Sequence, residues 1–203
     1  MKEASLVMEA IKIMNILFVC TGNTCRSPMA QAILQRKTNH HVQSAGIFAG
    51  QGSPASEGAS QVLRQQGISY DHQSQPVTKE LMEWADLVLT MTQQHRDMLK
   101  QNYSEYGTKV FTLKEYTASD YEQVWTALKE AYAQLEEAKL TDSDEKERLS
   151  HKIKQLEDIV QKVDVSDPFG GNHMTYQKTY EELDKYLALL IKKLENIDKR
   201  DFL

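Results

Sequence analysis

The sequence predicts an α/β fold in which a four-stranded parallel sheet carries helices on both faces. Four short apolar runs that favour strands recur along the chain: Asn15–Cys20, His41–Ala45, Leu87–Met91 and Val110–Leu113. Helical patterns separate these runs: Pro28–Arg36, Ser56–Gln66, Lys79–Trp84 and Gln93–Gln101. Strands that alternate with helices favour a parallel sheet that is covered on both sides. Ligands bind such sheets at the carboxyl ends of the strands, which is where Cys20 falls.

The helical patterns carry recognisable end signals. Gly67 follows the second helix and is expected at the position just past its end, where glycine accepts a left-handed backbone. The stretch Thr175–Lys199 has apolar residues at a spacing of three and four, which predicts a long closing helix with one buried face.

The segment between Thr117 and Val163 has a different character. Two apolar stripes share the same spacing of four and three: Val124, Leu128, Ala131, Leu135 and Ala138, and then Leu149, Ile153, Leu156, Val160 and Val163. Joined by a short polar turn, they predict an antiparallel helical hairpin inserted at about 117–163. Charged residues cover the other positions, which favours a solvated projection; the alternative is a docking arm for a partner or a dimer contact.

Composition excludes several classes of protein. The 203 residues are 40% hydrophobic and 26% charged, and they suit one domain of ordinary size, predicted here over residues 14–203. A net charge of −5 gives no basis for nucleic-acid binding through a basic surface. No apolar run approaches the ~20 residues of a membrane helix, so no membrane association is expected. Residues 1–13 lack the features of a secretory signal and are predicted to be an N-terminal extension.

The chain has two cysteines, Cys20 and Cys25, five residues apart. Such a close pair does not staple a secreted scaffold and is typical of catalytic or redox thiols in a reducing cytosol, so a cytoplasmic location is expected.

The loop Cys20–Ser27, with the sequence CTGNTCRS, has the parts of a phosphate site with a thiolate nucleophile. Gly22 and Asn23 tolerate positive φ, so the loop can curl and point its N–H groups at one place. Ser27 is predicted to cap the following helix, with Pro28 at its first position, so that the helix dipole also favours an anion. Arg26 can hold two phosphoryl oxygens at once.

These residues resemble those of the low-molecular-weight protein tyrosine phosphatases. "VCTGNTCRSPMA" is similar to the phosphate-binding loop of that family, and three further matches follow in the family's order: "SAG" (Ser44–Gly46), "DLVLTMT" (Asp86–Thr92) and "DPFGG" (Asp167–Gly171). The resemblance implies a two-step reaction that needs no metal or other cofactor.

The resemblance also implies a role for each matching residue. Cys20 would be the nucleophile, Arg26 the clamp on the transition state, and Asp167 the general acid that then activates water. The loop residues Thr21, Gly22, Asn23, Thr24, Cys25 and Ser27 would bind the phosphoryl group. Asn23 and Ser27 would also hold the loop in shape, supported from outside by Ser44 and His72.

Two positions favour phosphoarginine in proteins as the substrate. Tyrosine-directed members usually carry a bulky aliphatic residue where Thr24 stands, and often two aromatic residues where this chain has Phe169 and Gly170. Thr24, "DPFGG" and "MTQQH" (Met91–His95) resemble instead the bacterial protein-arginine phosphatases of the same fold. A threonine hydroxyl can hydrogen-bond near a polar P–N linkage, and Phe169 can stack on a guanidinium plane. Phosphotyrosine is the alternative substrate.

Other functions compete with this interpretation. A thiol-dependent arsenate reductase typically needs a further downstream cysteine, and none follows Cys25. A phosphoprotein-binding module without catalysis would not need Asp167. Cys25 is a redox candidate that could protect oxidised Cys20 as a disulfide, or it is merely structural. The histidines show no paired spacing for a metal site.

Overall fold

The computed structural model describes residues 12–118, 121–138 and 143–200. Its strands are β1 (Asn15–Cys20), β2 (His41–Gly46), β3 (Leu87–Thr90) and β4 (Val110–Thr112). Its α-helices are α1 (Arg26–Lys37), α2 (Glu57–Gln65), α3 (Lys79–Trp84), α4 (Gln93–Asn102), α5 (Leu113–Thr117), α6 (Tyr121–Ala138), α7 (Ser143–Gln161) and α8 (His173–Arg200). A 3₁₀ helix, Ser104–Lys109, precedes β4.

The four strands form one parallel sheet in the order β2-β1-β3-β4. Alternate residues of β1 face opposite sides, so Ile16 and Phe18 join one core, and Leu17 and Val19 join the other. The first core is covered by α1, α2 and α8, and the second by α3 and α4. The predicted α/β class with helices on both faces is therefore confirmed.

The predicted strands and helices of the sheet domain lie within two residues of their observed limits, and the differences have physical causes. The first helix begins at Arg26 rather than at Pro28, and its cap residue is Cys25, which makes no side-chain capping bond. Ser27 therefore does not cap the helix. Gly67 has φ +68 just past α2, as predicted. The short α5 was not predicted, because its first residue, Leu113, was assigned to the preceding strand.

Helices α6 and α7 pack against each other through the two predicted apolar stripes. Their shared core contains Leu128, Ala131, Ile153 and Val160, and it is separate from the two cores of the sheet. The turn between the helices lies outside the described residues. The domain limits, and the status of this helix pair as an insertion, remain predictions.

Among residues 12–118, 121–138 and 143–200, no helix combines the length and apolar character required to span a membrane.

Candidate active site

The loop between β1 and α1 starts at Cys20, at the carboxyl end of a central strand. The Cys20 side chain is buried, and its Sγ lies 2.9 Å from the hydroxyl oxygen of Ser27 in the first turn of α1. That contact explains why Ser27 is not a helix cap: its hydroxyl faces the sulfur instead. The loop thus returns on itself, and the Ser27 hydroxyl can donate a hydrogen bond to the Cys20 sulfur.

Asn23 holds the loop in its curled shape. It is fully buried, and it is the one non-glycine residue with positive φ (53°) in the part of the chain that the structure describes. Its amide nitrogen donates to the hydroxyls of Ser27 (3.0 Å) and Ser44 (2.8 Å), and its Oδ1 accepts from the backbone N–H of Gln75 (3.0 Å). Because Asn23 donates to Ser27, the Ser27 hydrogen is free to point elsewhere, and its acceptors are Cys20 Sγ at 2.9 Å and the Ala45 carbonyl oxygen at the longer distance of 3.4 Å.

His72 supports the loop from outside. Its Nε2 lies 2.6 Å from the carbonyl oxygen of Asn23, and because a carbonyl can only accept, Nε2 carries the hydrogen. Nδ1 then accepts from the hydroxyl of Tyr70 at 3.3 Å. Burial lowers the pKa of His72 despite the hydrogen bond to Asn23 and the nearby charge of Asp71, which act in the other direction. The imidazole is therefore neutral at pH 7.

Glycine is required at Gly46, where β2 ends against this loop. A Cβ atom at that position would lie 2.6 Å from the Thr21 carbonyl oxygen and 2.8 Å from the Asn23 nitrogen. Gly22, by contrast, does not use positive φ, which within the loop is confined to Asn23. The curl therefore depends on one asparagine inside the loop and on one glycine in the neighbouring strand.

Arg26 and Asp167 meet across 141 positions of sequence. Arg26 Nη2 lies 2.7 Å from Asp167 Oδ2, and Arg26 Nη1 donates to the Val165 carbonyl oxygen at 3.3 Å. The arginine side chain is only 6% exposed, whereas the aspartate side chain is 52% exposed. The guanidinium is thus fixed within the protein, and the carboxylate stands at the solvent-facing side of the pair.

The aromatic residues of the site are open to solvent. Phe169 is 79% exposed, and its backbone N–H donates to Asp167 Oδ1 at 3.2 Å. Phe48 is 70% exposed, and its N–H donates to the Thr21 carbonyl oxygen at 2.9 Å, so it stands beside the loop. Phe48 was missed in the sequence, although its place two residues after "SAG" was a usable signal.

Thr24 and Cys25 both contact Ser56, the cap residue of α2. The Thr24 side chain is half-buried, and its carbonyl oxygen accepts from the Ser56 N–H at 2.8 Å. Cys25 Sγ lies 3.2 Å from Ser56 Oγ and 3.5 Å from the hydroxyl of Tyr176 on α8. Both cysteines are free thiols. The proposed redox role of Cys25 remains a prediction.

His95, the last residue of the "MTQQH" match, is a buried residue of the site for which no role was predicted. Its Nε2 lies 2.9 Å from the hydroxyl of Thr21, the residue after Cys20, and its Nδ1 lies 2.8 Å from the hydroxyl of Thr92. Burial, with the nearby positive charge of Arg26, lowers the pKa of His95 to about 4. A neutral imidazole therefore links the end of β3 to the loop at neutral pH.

Together these contacts place a sulfur, a fixed guanidinium and an accessible carboxylate at the carboxyl edge of the sheet. Within the described part of the chain, no three His, Cys, Asp or Glu side chains gather in a way that could hold a metal ion. The groups present are suited to nucleophilic attack, to binding an oxyanion and to moving a proton.

Comparison with known proteins agrees with this geometry. Residues 15–134 match the model of the family described as low molecular weight phosphotyrosine protein phosphatase. A protein-arginine-phosphatase of Bacillus subtilis is 36% identical over 192 residues, which cover 92% of this chain and 100% of the relative. A low molecular weight protein-tyrosine-phosphatase, PtpB, of Staphylococcus aureus is 31% identical over 185 residues, 91% of this chain and 99% of the relative.

A solved structure shows the same arrangement. The YwlE arginine phosphatase from Geobacillus stearothermophilus superposes with a TM-score of 0.69 at 35% identity, and the match covers 92% of this chain and 96% of that one. By sequence and by fold, the chain belongs to the low molecular weight phosphotyrosine protein phosphatase family and is a protein phosphatase of that type.

Proposed function

We propose that this phosphatase hydrolyses phosphoarginine in proteins through a phosphocysteine intermediate on Cys20. The observation that carries the proposal is the Arg26–Asp167 pair, because it sets an anion-binding fork and a proton donor beside the loop that begins at Cys20. A module that only bound phosphoproteins would need the Arg26 guanidinium but not the Asp167 carboxylate.

In the first step, the phosphoryl group competes with Asp167 for Arg26. Two of its oxygens take the guanidinium fork, and the loop N–H groups bind the others. The Cys20 thiolate, which accepts from Ser27, attacks phosphorus, and a sulfur–phosphorus bond forms as the P–N bond breaks. The Asp167 carboxyl gives its proton to the departing guanidine nitrogen, so this nitrogen does not leave as an anion.

In the second step, water attacks the phosphocysteine. The Asp167 carboxylate takes a proton from that water, a new P–O bond forms, and the sulfur–phosphorus bond breaks. Inorganic phosphate leaves, and the Cys20 thiolate and the protonated Asp167 are restored. Atoms and electrons balance with water as the co-reactant, and no cofactor takes part.

Four residues support phosphoarginine over phosphotyrosine. Thr24 presents a small polar side chain at the loop, where it can hydrogen-bond to the P–N linkage or to the attacking water. Phe169 and Phe48 are exposed aromatic faces beside the site, on which a guanidinium plane can stack. Gly170, with φ +73, follows Phe169 and provides no second aromatic wall on that side.

The first experiment compares kcat/KM for phosphoarginine and phosphotyrosine versions of the same peptide, with Cys20→Ser as the blank. We expect a preference for phosphoarginine that Thr24→Ile reverses or reduces by about 100-fold, the usual limit for one pocket side chain. Acid-quenched wild-type enzyme should carry one phosphoryl group on Cys20. A preference for phosphotyrosine would support the alternative substrate, and turnover by Cys20→Ser would overturn the mechanism.

A further inference from the structure

The segment 164–167, which ends in Asp167, is held by a group of side chains that take no part in the two proposed reaction steps. We call this group, consisting of Glu182, Lys114 and Ser166, the Glu182 clamp. Glu182 Oε2 on α8 accepts from both the N–H (3.0 Å) and the hydroxyl (2.6 Å) of Ser166. Its Oε1 pairs with Lys114 Nζ of α5 at 2.5 Å.

Lys114 also reaches the segment directly. Its Nζ donates to the Asp164 carbonyl oxygen at 2.6 Å, and Asp164 Oδ1 accepts from the N–H of Gln93 at the start of α4. Val165 then donates its N–H to the Met91 carbonyl oxygen at 2.8 Å. The three consecutive residues before Asp167 are therefore bonded to α4, α5, α8 and the residue after β3.

The Glu182–Lys114 pair is sheltered, unlike most surface ion pairs. The two side chains are 23% and 12% exposed, respectively. Burial alone would raise the pKa of Glu182, but the hydrogen bonds from Lys114 and Ser166 outweigh it, so the pKa lies below its usual value. Both carboxylate oxygens have fixed donors, which gives the pair one well-defined geometry.

The clamp lies next to the most exposed side chains of the site. Ser166 is bonded to Glu182 and contacts the fully buried Thr179 at 3.0 Å. Beyond it, the Asp167 side chain is half exposed and Phe169 projects into solvent. The clamp is thus the last fixed point before the carboxyl group that must meet the leaving group.

We infer that Glu182, acting through Ser166 and with Lys114, is a positioning residue for Asp167. This inference rests on the proposed function, in which Asp167 is the proton donor. A proton donor displaced by about 1 Å loses much of its effect. Cys20 does not contact the clamp, and the Val165 carbonyl oxygen that accepts from Arg26 is held separately, by the bond from the Val165 N–H to the Met91 carbonyl oxygen. Loss of the clamp should therefore penalise the substrates that need protonation of the leaving group.

The test measures kcat/KM for two aryl phosphates that differ in this need. Para-nitrophenyl phosphate has a good leaving group that departs with little help, and phenyl phosphate has a poor one. For Glu182→Gln, and separately for Ser166→Ala, we expect about a 10-fold loss on phenyl phosphate and less than about a 2-fold loss on para-nitrophenyl phosphate. Glu181→Gln is the matched control, because Glu181 is the exposed neighbour on α8 and bonds to Gln177; it should match wild type on both substrates.

Each outcome bears on a different claim. An equal loss on both substrates, or no loss on either, would overturn the inference. Ser166→Ala keeps the Glu182–Lys114 pair, so it decides the question if Glu182→Gln fails to fold. If Cys20→Ser still turned over para-nitrophenyl phosphate, the proposed mechanism would fail instead, whatever the clamp variants did.

Discussion

Replacing Asn23 separates the two physical contributions that hold the phosphate loop. Asn23→Gly removes three side-chain hydrogen bonds, to Ser27, Ser44 and Gln75, while leaving φ near 53° free of strain. At about 1 kcal/mol for each bond, the variant should lose about 3 kcal/mol of the free energy of unfolding. Asn23→Ala removes the same bonds and adds a methyl group in the left-handed region, which costs about 1 kcal/mol more.

A third substitution addresses activity. Asn23→Asp has nearly the same shape, but its carboxylate cannot donate to Ser27 or Ser44, and it brings negative charge towards the Cys20 thiolate. We expect kcat/KM to fall by about 100-fold, which corresponds to about 2.7 kcal/mol in the transition state. Asn39, which is exposed in a bend before β2, gives the control: Asn39→Ala should change stability by less than about 0.5 kcal/mol.

The assays are urea unfolding followed by fluorescence and steady-state turnover of one phosphopeptide. If Asn23→Gly unfolded at the wild-type urea concentration, the network would contribute nothing to stability. If Asn23→Ala were as stable as Asn23→Gly, the argument from positive φ would be refuted. Wild-type kcat/KM in Asn23→Asp would show that Ser27 does not depend on Asn23.

Two further predictions concern the surroundings of the loop. Gly46→Ala places a methyl group 2.6 Å from the Thr21 carbonyl oxygen, so the free energy of unfolding in urea should fall by about 2–3 kcal/mol and turnover should also fall. Gly50→Ala is the control, because its Cβ would meet nothing within 4 Å, and it should be neutral. Equal stabilities of the two variants would contradict the close approach at Gly46. The second prediction concerns pH: the pKa of His95 is lowered from its ordinary 6.5 to about 4 in the folded protein. The contribution of His95 to the free energy of unfolding is therefore complete above pH 6.5 and is lost as the pH falls towards 4. Between pH 7 and pH 4, the free energy of unfolding of the wild type should fall by about 3 kcal/mol because of His95, in addition to the fall caused by other groups. In His95→Gln only the fall caused by the other groups should remain. Identical profiles of stability against pH would refute the neutral imidazole.

The sequence was most informative where the site is local. Cys20, Asn23, Arg26 and Ser27 lie within eight residues, and the strand before them and the helix after them are set by short-range patterns. The fold class followed for the same reason, because alternating apolar runs and helical stripes leave few other arrangements. Asp167 was found only through the family's Asp-Pro pattern, since a single Asp-Pro is usually an ordinary turn.

The remaining residues could not be found because their signals are long-range. His95 is 74 positions from Thr21, and Glu182 is 68 from Lys114, and neither pair has a sequence pattern that distinguishes it from surface polar residues. Ser27 was assigned as a helix cap from its residue type and place. The buried sulfur of Cys20 competes for the same hydroxyl, and residue type alone cannot show which acceptor wins.

The bond from Lys114 to the Asp164 carbonyl oxygen has a consequence for how this chain can change over evolutionary time. It joins Lys114 in α5, seven residues before α6 begins, to Asp164, three residues after α7 ends, so the chain on either side of the α6–α7 pair is held together within the sheet domain. The free energy of closing a loop grows only slowly with its length once its ends are fixed. Helices α6 and α7 can therefore be shortened, lengthened or replaced by another domain while the bonds that hold Asp164 stay in place.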